Sequence, residues 1–247
     1  LIELKEIGIN RLSIGVQSFN DTDLKWMNRS HNADQSESSI KMAQEVGFDN
    51  ITIDLMYGLP NQTLTEWKKN LKKMFEYNIQ HFSAYALTIE NKTSLKNLVH
   101  KNKIKLLEED QIVNQFKLLI DAAEKHGFIH YEISNFGRKG FFSKHNSAYW
   151  KGAHYLGIGP SAHSYNIESR SWNVSSNKQY IQKIKNDENY FEVEKLTQDQ
   201  QYNEYVFTSL RTIWGVDSKK IAQNFNTNIL SHYLTEIKKW EKKSYVK

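Results

Sequence analysis

Three polar residues stand where apolar runs end or are interrupted, which is where a binding site needs them: Gln17 closes the run Arg11 to Gln17, Asp54 sits inside Ile51 to Met56, and Arg29 follows shortly after the first run. A carboxylate embedded among Ile51, Ile53, Leu55 and Met56 is removed from water and cannot remain charged without a donor or a cation beside it. Arg29, brought back by a short helix beginning after Asn20 or Asp21, is one such partner, and a ligand's hydroxyl or amine groups are another. A purely structural Asp54 bonded to backbone amides is the alternative, and spacing leaves both open. Further on, His145-Asn-Ser-Ala-Tyr-Trp150 sets one imidazole beside two aromatics, and Gly157-Ile-Gly-Pro-Ser-Ala-His163 follows. His145, His154 and His163 fall at equal intervals, but that interval matches neither a helix face nor a zinc pattern, so they are not read as a metal site. Gly157 and Gly159 do not make a phosphate loop either, because Pro160 and Ser161 break the helix that should follow.

The elements that must position these residues are legible in the pattern. Short runs rich in Ile, Val, Leu, Tyr and Phe at Arg11 to Gln17, Asn50 to Tyr57, His81 to Leu87 and Ile129 to Ser134 read as strands buried on both faces, alternating with amphipathic helical stretches. Alternation of this kind builds a parallel sheet, and in a parallel barrel the functional groups project from the carboxyl ends of the strands. Gln17, Asp54 and Ala86 would then gather at one rim. Asp34 with Glu37, and Thr63 with Glu66, have capping-box spacing ahead of helices that carry Ile40, Ala43 and Val46, and Leu64, Trp67, Leu71, Met74 and Phe75. A third helix carries Ile112, Phe116, Leu119, Ile120 and Ala123 and stops at Gly127.

The 247 residues, 39% hydrophobic and 13% aromatic, suffice for one substantial core and a small second domain. The net charge of +5 is mild and its lysines are interspersed with acidic residues, which argues against a nucleic-acid partner. No run reaches the roughly 18 apolar residues of a membrane span. With no cysteine there are no disulfides and no thiolate metal ligands in these residues. Leu1 to Gly8 reads as the end of a helix, so the element before it is expected to be cut off. The expected organisation is the downstream portion of a barrel at 1–165 with an aromatic loop region at 137–165, a linker at 166–189, and a small, mainly helical, winged-helix-like domain at 190–247 that is incomplete at its end.

The blocks Arg11 to Phe19, Arg29 with His31, Asp54 to Thr63, Tyr85 to Glu90 and Tyr131 to Phe136 occur in the order seen in the oxygen-independent coproporphyrinogen oxidase family of radical S-adenosylmethionine (SAM) proteins, which the chain closely resembles over most of residues 1 to 165. The resemblance implies an α/β fold, the C-terminal part of a partial (β/α)6 TIM-like barrel with a small helical domain appended. It implies SAM contacts at Gln17, Arg29, Asp54, Ala86 and His163. Arg29 can pair with the methionine carboxylate, Asp54 and Gln17 can bond ribose or amine groups, and Ala86 leaves room for close approach. The His145 to Trp150 block resembles the HNxxYW motif of the heme chaperone subgroup, implying heme as ligand, His145 as its iron ligand, and Tyr149 and Trp150 over the porphyrin face. Without that role, His145 and Asn146 would bond loop backbone while both aromatics pack on the barrel.

The family holds a 4Fe-4S cluster on CxxxCxxC, and none of those ligands is present, so these residues alone should be inactive. The implied function is a cytoplasmic chaperone that passes heme to hemoproteins such as respiratory cytochromes, some of them membrane-associated. The alternative is the oxidase itself, in which a deoxyadenosyl radical abstracts hydrogen from propionate side chains and two are lost as carbon dioxide; the His145 to Trp150 motif separates the two in favour of the chaperone.

Overall fold

In a computed structural model describing residues 1–91 and 93–246, the chain forms two compact units, Leu1–Ser143 and Lys144–Lys247. The first runs α1 (Ile2–Glu6), β1 (Arg11–Gln17), α2 (Asp21–Trp26), α3 (Ala33–Glu45), β2 (Asn50–Tyr57), α4 (Leu64–Phe75), β3 (His81–Ala86), α5 (Ser94–His100), α6 (Glu109–Lys125), β4 (Ile129–Glu132) and β5 (Asn135–Gly137). The second runs α7 (Lys144–Trp150), β6 (His163–Tyr165), β7 (Ser169–Asn173), α8 (Asn177–Lys185), β8 (Phe191–Lys195), α9 (Gln198–Ser209), α10 (Ser218–Asn224) and α11 (Thr227–Lys242).

The first unit is a five-stranded sheet in the order β1-β2-β3-β5-β4, with β1, β2 and β3 parallel. Its period-two alternation sorts the strands into two faces. Leu12, Ile14, Val16, Ile51, Ile53, Leu55, Tyr57, Phe82, Ala84 and Phe136 point to the helices and form the core with Ile40, Trp67, Leu71, Met74 and Leu119. The opposite, polar face carries Thr52, Asp54, His81, Ser83 and Asn135, paired in register as Thr52 with His81, Asp54 with Ser83, and Ser83 with Asn135.

The strand pattern expected from sequence is met at β1 and β2, but a purely parallel sheet is not. The short strand β5 inserts between β3 and β4 and runs antiparallel to both. Three residues, Asn135-Phe-Gly, are too few to show a periodicity. Thr63 and Glu66 do form a capping box, whereas α3 is capped two residues earlier than the sequence suggests, by Asn32 and Gln35. The Asp21 carboxylate accepts the Ala33 N–H, which lets the helix start before Asp34, and Glu37 is drawn instead to Lys73 and the Tyr77 hydroxyl.

In the second unit, the stretch expected as a linker, 166–189, contains β7 and α8. The sheet β6-β7-β8 is antiparallel, and its strands are short and largely polar, Ser169 to Asn173 and Phe191 to Lys195, so they give little apolar signal. The two compact units divide after Ser143, within the aromatic loop region 137–165. Helices α9 to α11 close on a small core of Ile221, Ile229 and Tyr233.

Candidate functional site

The end of β1 is built by a bulge and a left-handed residue. Pairing with β2 slips between Ile14 and Gln17, and Gln17 itself has φ +66°. A bulge re-aims the side chain that follows it. Here the Gln17 amide folds back over Gly15, and the Arg29 guanidinium reaches the same place from beyond α2, with Nη2 at 3.5 Å from the Gly15 carbonyl oxygen. A Cβ at Gly15 would stand 3.1 Å from Gln17 Nε2 and 3.5 Å from Arg29 Nη2, so glycine is what lets both polar groups lie over the strand. Gln17 and Arg29 line a cleft of about 490 Å³ with Trp26, Met56, Leu87 and Leu98, a size ordinary for a small-molecule site.

What fixes this rim is a buried polar knot behind it. Asp23 accepts from Ser18 Oγ at 2.7 Å, Gln62 Nε2 at 3.2 Å and Asn70 Nδ2 at 3.4 Å, and Asn70 Oδ1 accepts the Phe19 N–H at 2.7 Å. The end of β1 is thereby tied to α2, to the loop after β2 and to α4. Gln115 continues the tie, accepting the Gly58 N–H at 2.8 Å and donating to the Gln62 carbonyl at 2.9 Å. The Asn20 side chain caps α2, the short helix that returns Arg29 to the sheet.

Asp54 lies on the polar face one pleat before Met56, which lines the cleft. Burial raises its carboxyl above the usual range, opposed by the neighbouring Ser83 hydroxyl. Toward the start of the strands the same face carries a second group. Arg11 Nη1 donates to Asn50 Oδ1 at 2.5 Å and its Nη2 to Thr52 Oγ1. His81 bonds Thr52 Oγ1 through Nδ1 at 3.2 Å and the Tyr131 hydroxyl through Nε2 at 2.7 Å. Desolvation, helped by Arg11, pulls His81 down to about 3, and burial pushes Tyr131 up to about 12, so both are neutral across the physiological range.

The structure brings Gln17, Arg29 and Asp54 to one face. It does not bring Ala86 there: Ala86 is in register with Tyr57 and packs with the helix-side core, because it lies an odd number of residues from Ser83 along the strand. Gly15, Ser83, Asn135 and Glu132 were not singled out from sequence. The alternation His81, Ser83, Tyr85 was the available signal for Ser83.

In the second unit, His145 and Tyr149 are one helical turn apart on α7 with ring centroids 4.9 Å apart at 88°, and Tyr149 meets Tyr155 in the same edge-on manner. Both His145 and Tyr149 are exposed, while Trp150 is half-buried and one position further round the helix. His163 opens β6 with Trp172 6.4 Å away. The glycine loop before it uses its own polar groups: Gly157 N–H donates to Ser164 Oγ, Gly159 N–H to the Tyr180 hydroxyl, and Asn173 Nδ2 bonds both glycine carbonyls. Among the described residues, no group of three or more His, Asp or Glu is placed to hold a metal, and no helix is long and apolar enough to cross a membrane.

Residues 1–74 match the family model of the radical SAM superfamily. The chain is similar to named heme chaperones: it is 37% identical over 227 residues to the heme chaperone HemW of Bacillus subtilis, 35% over 234 residues to HemW of Lactococcus lactis, and 38% over 156 residues to HemW of Haemophilus influenzae. These alignments cover 92%, 95% and 63% of the chain, and it spans 60%, 62% and 40% of the respective relatives' length. The fold is that of the coproporphyrinogen III oxidase HemN of Escherichia coli, a radical SAM enzyme, with a TM-score of 0.78 and 24% identity over 98% of this chain and 59% of that one. The superfamily implies SAM and a 4Fe-4S cluster. The Gln17, Arg29 and Asp54 face suits SAM, since Gly15 clears the strand beneath two donors and the half-buried Asp54 carboxyl lies on the same polar face. The cluster finds no thiolate in these residues.

Proposed function

We propose that this chain is the SAM- and heme-facing part of a heme chaperone that takes up heme and delivers it to hemoproteins such as respiratory cytochromes in the cytoplasm. The carrying observation is the exposed pair His145 and Tyr149 on α7, an imidazole with one ring nitrogen available to iron and an aromatic edge braced by Tyr155. Trp150, half-buried on the next helix position, supports α7 from within and adds apolar surface at the margin of the heme. In the other unit Arg29 takes the methionine carboxylate of SAM, and Gln17 and Asp54 take its ribose or amine groups; bound SAM supplies the adenosyl chemistry of the superfamily. Ala86 drops out of this assignment because it faces the core.

Heme titration of the full-length protein, followed by the Soret band, tests the heme reading. His145→Ala is expected to weaken heme binding by about tenfold or more and to alter the band, as loss of an axial ligand does. Equal affinity and an unchanged spectrum would remove His145 from the heme site.

A further inference from the structure

Two residues beyond Arg29 stands His31, half-buried, with its Nε2 3.1 Å from the carbonyl oxygen of Val16, the residue just before Gln17. A carbonyl oxygen only accepts, so the ring carries a proton on Nε2 and donates it there. The same oxygen receives the Ser18 N–H at 2.8 Å, which closes a three-residue turn with Gln17 at its centre and φ +66°. A bond of this span across a residue of positive φ is the mark of the classic γ-turn, rare and strained for a residue that carries a Cβ. Such a conformation persists only where its surroundings over-determine it. Behind the turn, Asp23 holds Ser18 Oγ and Asn70 holds the Phe19 N–H. In front of it lies the loop between α2 and α3, and His31 joins the two.

That loop is fixed at both ends. Asn28, at φ +54°, closes α2 with the paired bonds of a Schellman motif, its own N–H to the Lys25 carbonyl at 3.0 Å and the Arg29 N–H to the Leu24 carbonyl at 2.9 Å. At the far end Asn32 caps α3 and Asp21 accepts the Ala33 N–H. Between these ends the side chains of Arg29 and His31 both reach β1. Arg29 does so loosely, exposed and 3.5 Å from the Gly15 carbonyl, as suits a guanidinium still available to a ligand. His31 makes the shorter contact.

We infer that His31 is the positioning residue of the SAM rim: its hydrogen bond to Val16 holds the strained Gln17 turn and sets the loop that carries Arg29 at a fixed distance from it. The guanidinium for the methionine carboxylate and the amide for the ribose or amine groups are thereby kept in one geometry before a ligand arrives, so less ordering accompanies binding. The inference rests on the SAM reading of Gln17 and Arg29.

The test has two readouts in the full-length protein: hydrogen exchange of the Ser18 amide without SAM, and calorimetry of SAM binding. His31→Phe keeps a ring and drops the donor, His31→Ala drops both, and His31→Gln carries an amide N–H the same number of bonds from the backbone. His31→Phe and His31→Ala are expected to speed Ser18 exchange and to weaken SAM binding, each roughly three- to tenfold, the worth of one hydrogen bond, while His31→Gln stays within about twofold of the parent in both. The Ile53 and Leu55 amides of β2 serve as the internal reference and should not respond. A loss that His31→Gln does not restore, or one shared equally by Ile53 and Leu55, makes His31 a packing residue and overturns the inference. Unchanged SAM affinity in His31→Phe overturns it too when Arg29→Gln lowers that affinity. Undiminished affinity in Arg29→Gln as well marks a different failure, that of the SAM reading, and takes the role of His31 at a SAM rim with it.

Discussion

Acidification should unlock the sheet through His81, and the effect can be worked from its surroundings. His81 is 1% exposed, bonded to Thr52 and Tyr131 on one side of the sheet and flanked by Arg11, and desolvation holds it down to about 3 against an ordinary 6.5. Between those values the unfolded chain binds a proton that the folded one refuses, so stability rises with pH there and falls on acidification. Stability from this group is complete above about pH 6.5 and declines by about 1.4 kcal/mol per pH unit below it, roughly 3 kcal/mol by pH 4.5 and on the order of 5 kcal/mol by pH 3. His81→Gln keeps a donor and an acceptor near Tyr131 but does not titrate. Hydrogen exchange of the β2 and β3 amides under mild urea reads the stability of this unit from pH 4.5 to 8. The variant should lose about 1 kcal/mol near pH 8 from an imperfect hydrogen bond and show a markedly flatter acid limb than the parent. Equal slopes in parent and variant would refute the claim that His81 is forced to stay neutral.

Other substitutions probe the rim and the loop. Gly15→Ala should weaken SAM binding about tenfold or more, since a Cβ 3.1 Å from Gln17 Nε2 and 3.5 Å from Arg29 Nη2 displaces both groups, and the Arg29 contact with a carboxylate is charge-assisted and contributes ~1.5–3 kcal/mol, while the melting temperature holds; calorimetry and a thermal melt read the two effects apart. Gly157→Ala should lower the stability of the second unit by at least ~1–3 kcal/mol in urea unfolding, because its Cβ would fall inside the backbone of His163.

The parallel strands and the capped helix α4 could be read directly, because β1 and β2 are long enough for their apolar runs to show and Thr63 and Glu66 have no rival partners. β5 could not, being three residues held by register with Ser83 and His130 and not by its own pattern. The 163–195 sheet was hidden for a different reason: its strands bury few apolar groups, and Arg170 with Glu194 and Glu204 supplies polar contacts in their place. At the site, Gln17, Arg29 and Asp54 were legible as polar residues at strand ends or within apolar runs. Ala86 was misplaced by one step of the pleat. Glu132 and Asn135 escaped because a bulge, which leaves no mark in composition, decides which way they face.

The central claim is that Gln17, Arg29 and Asp54 form one face for SAM, and the most direct measurement is SAM calorimetry of the full-length protein against Asp54→Asn. Loss of about tenfold or more in affinity, with the thermal melt unchanged or raised because a half-buried, partly desolvated carboxyl has been relieved, is the predicted result. Undiminished affinity in a folded variant would contradict it and make Asp54 a structural residue of the sheet.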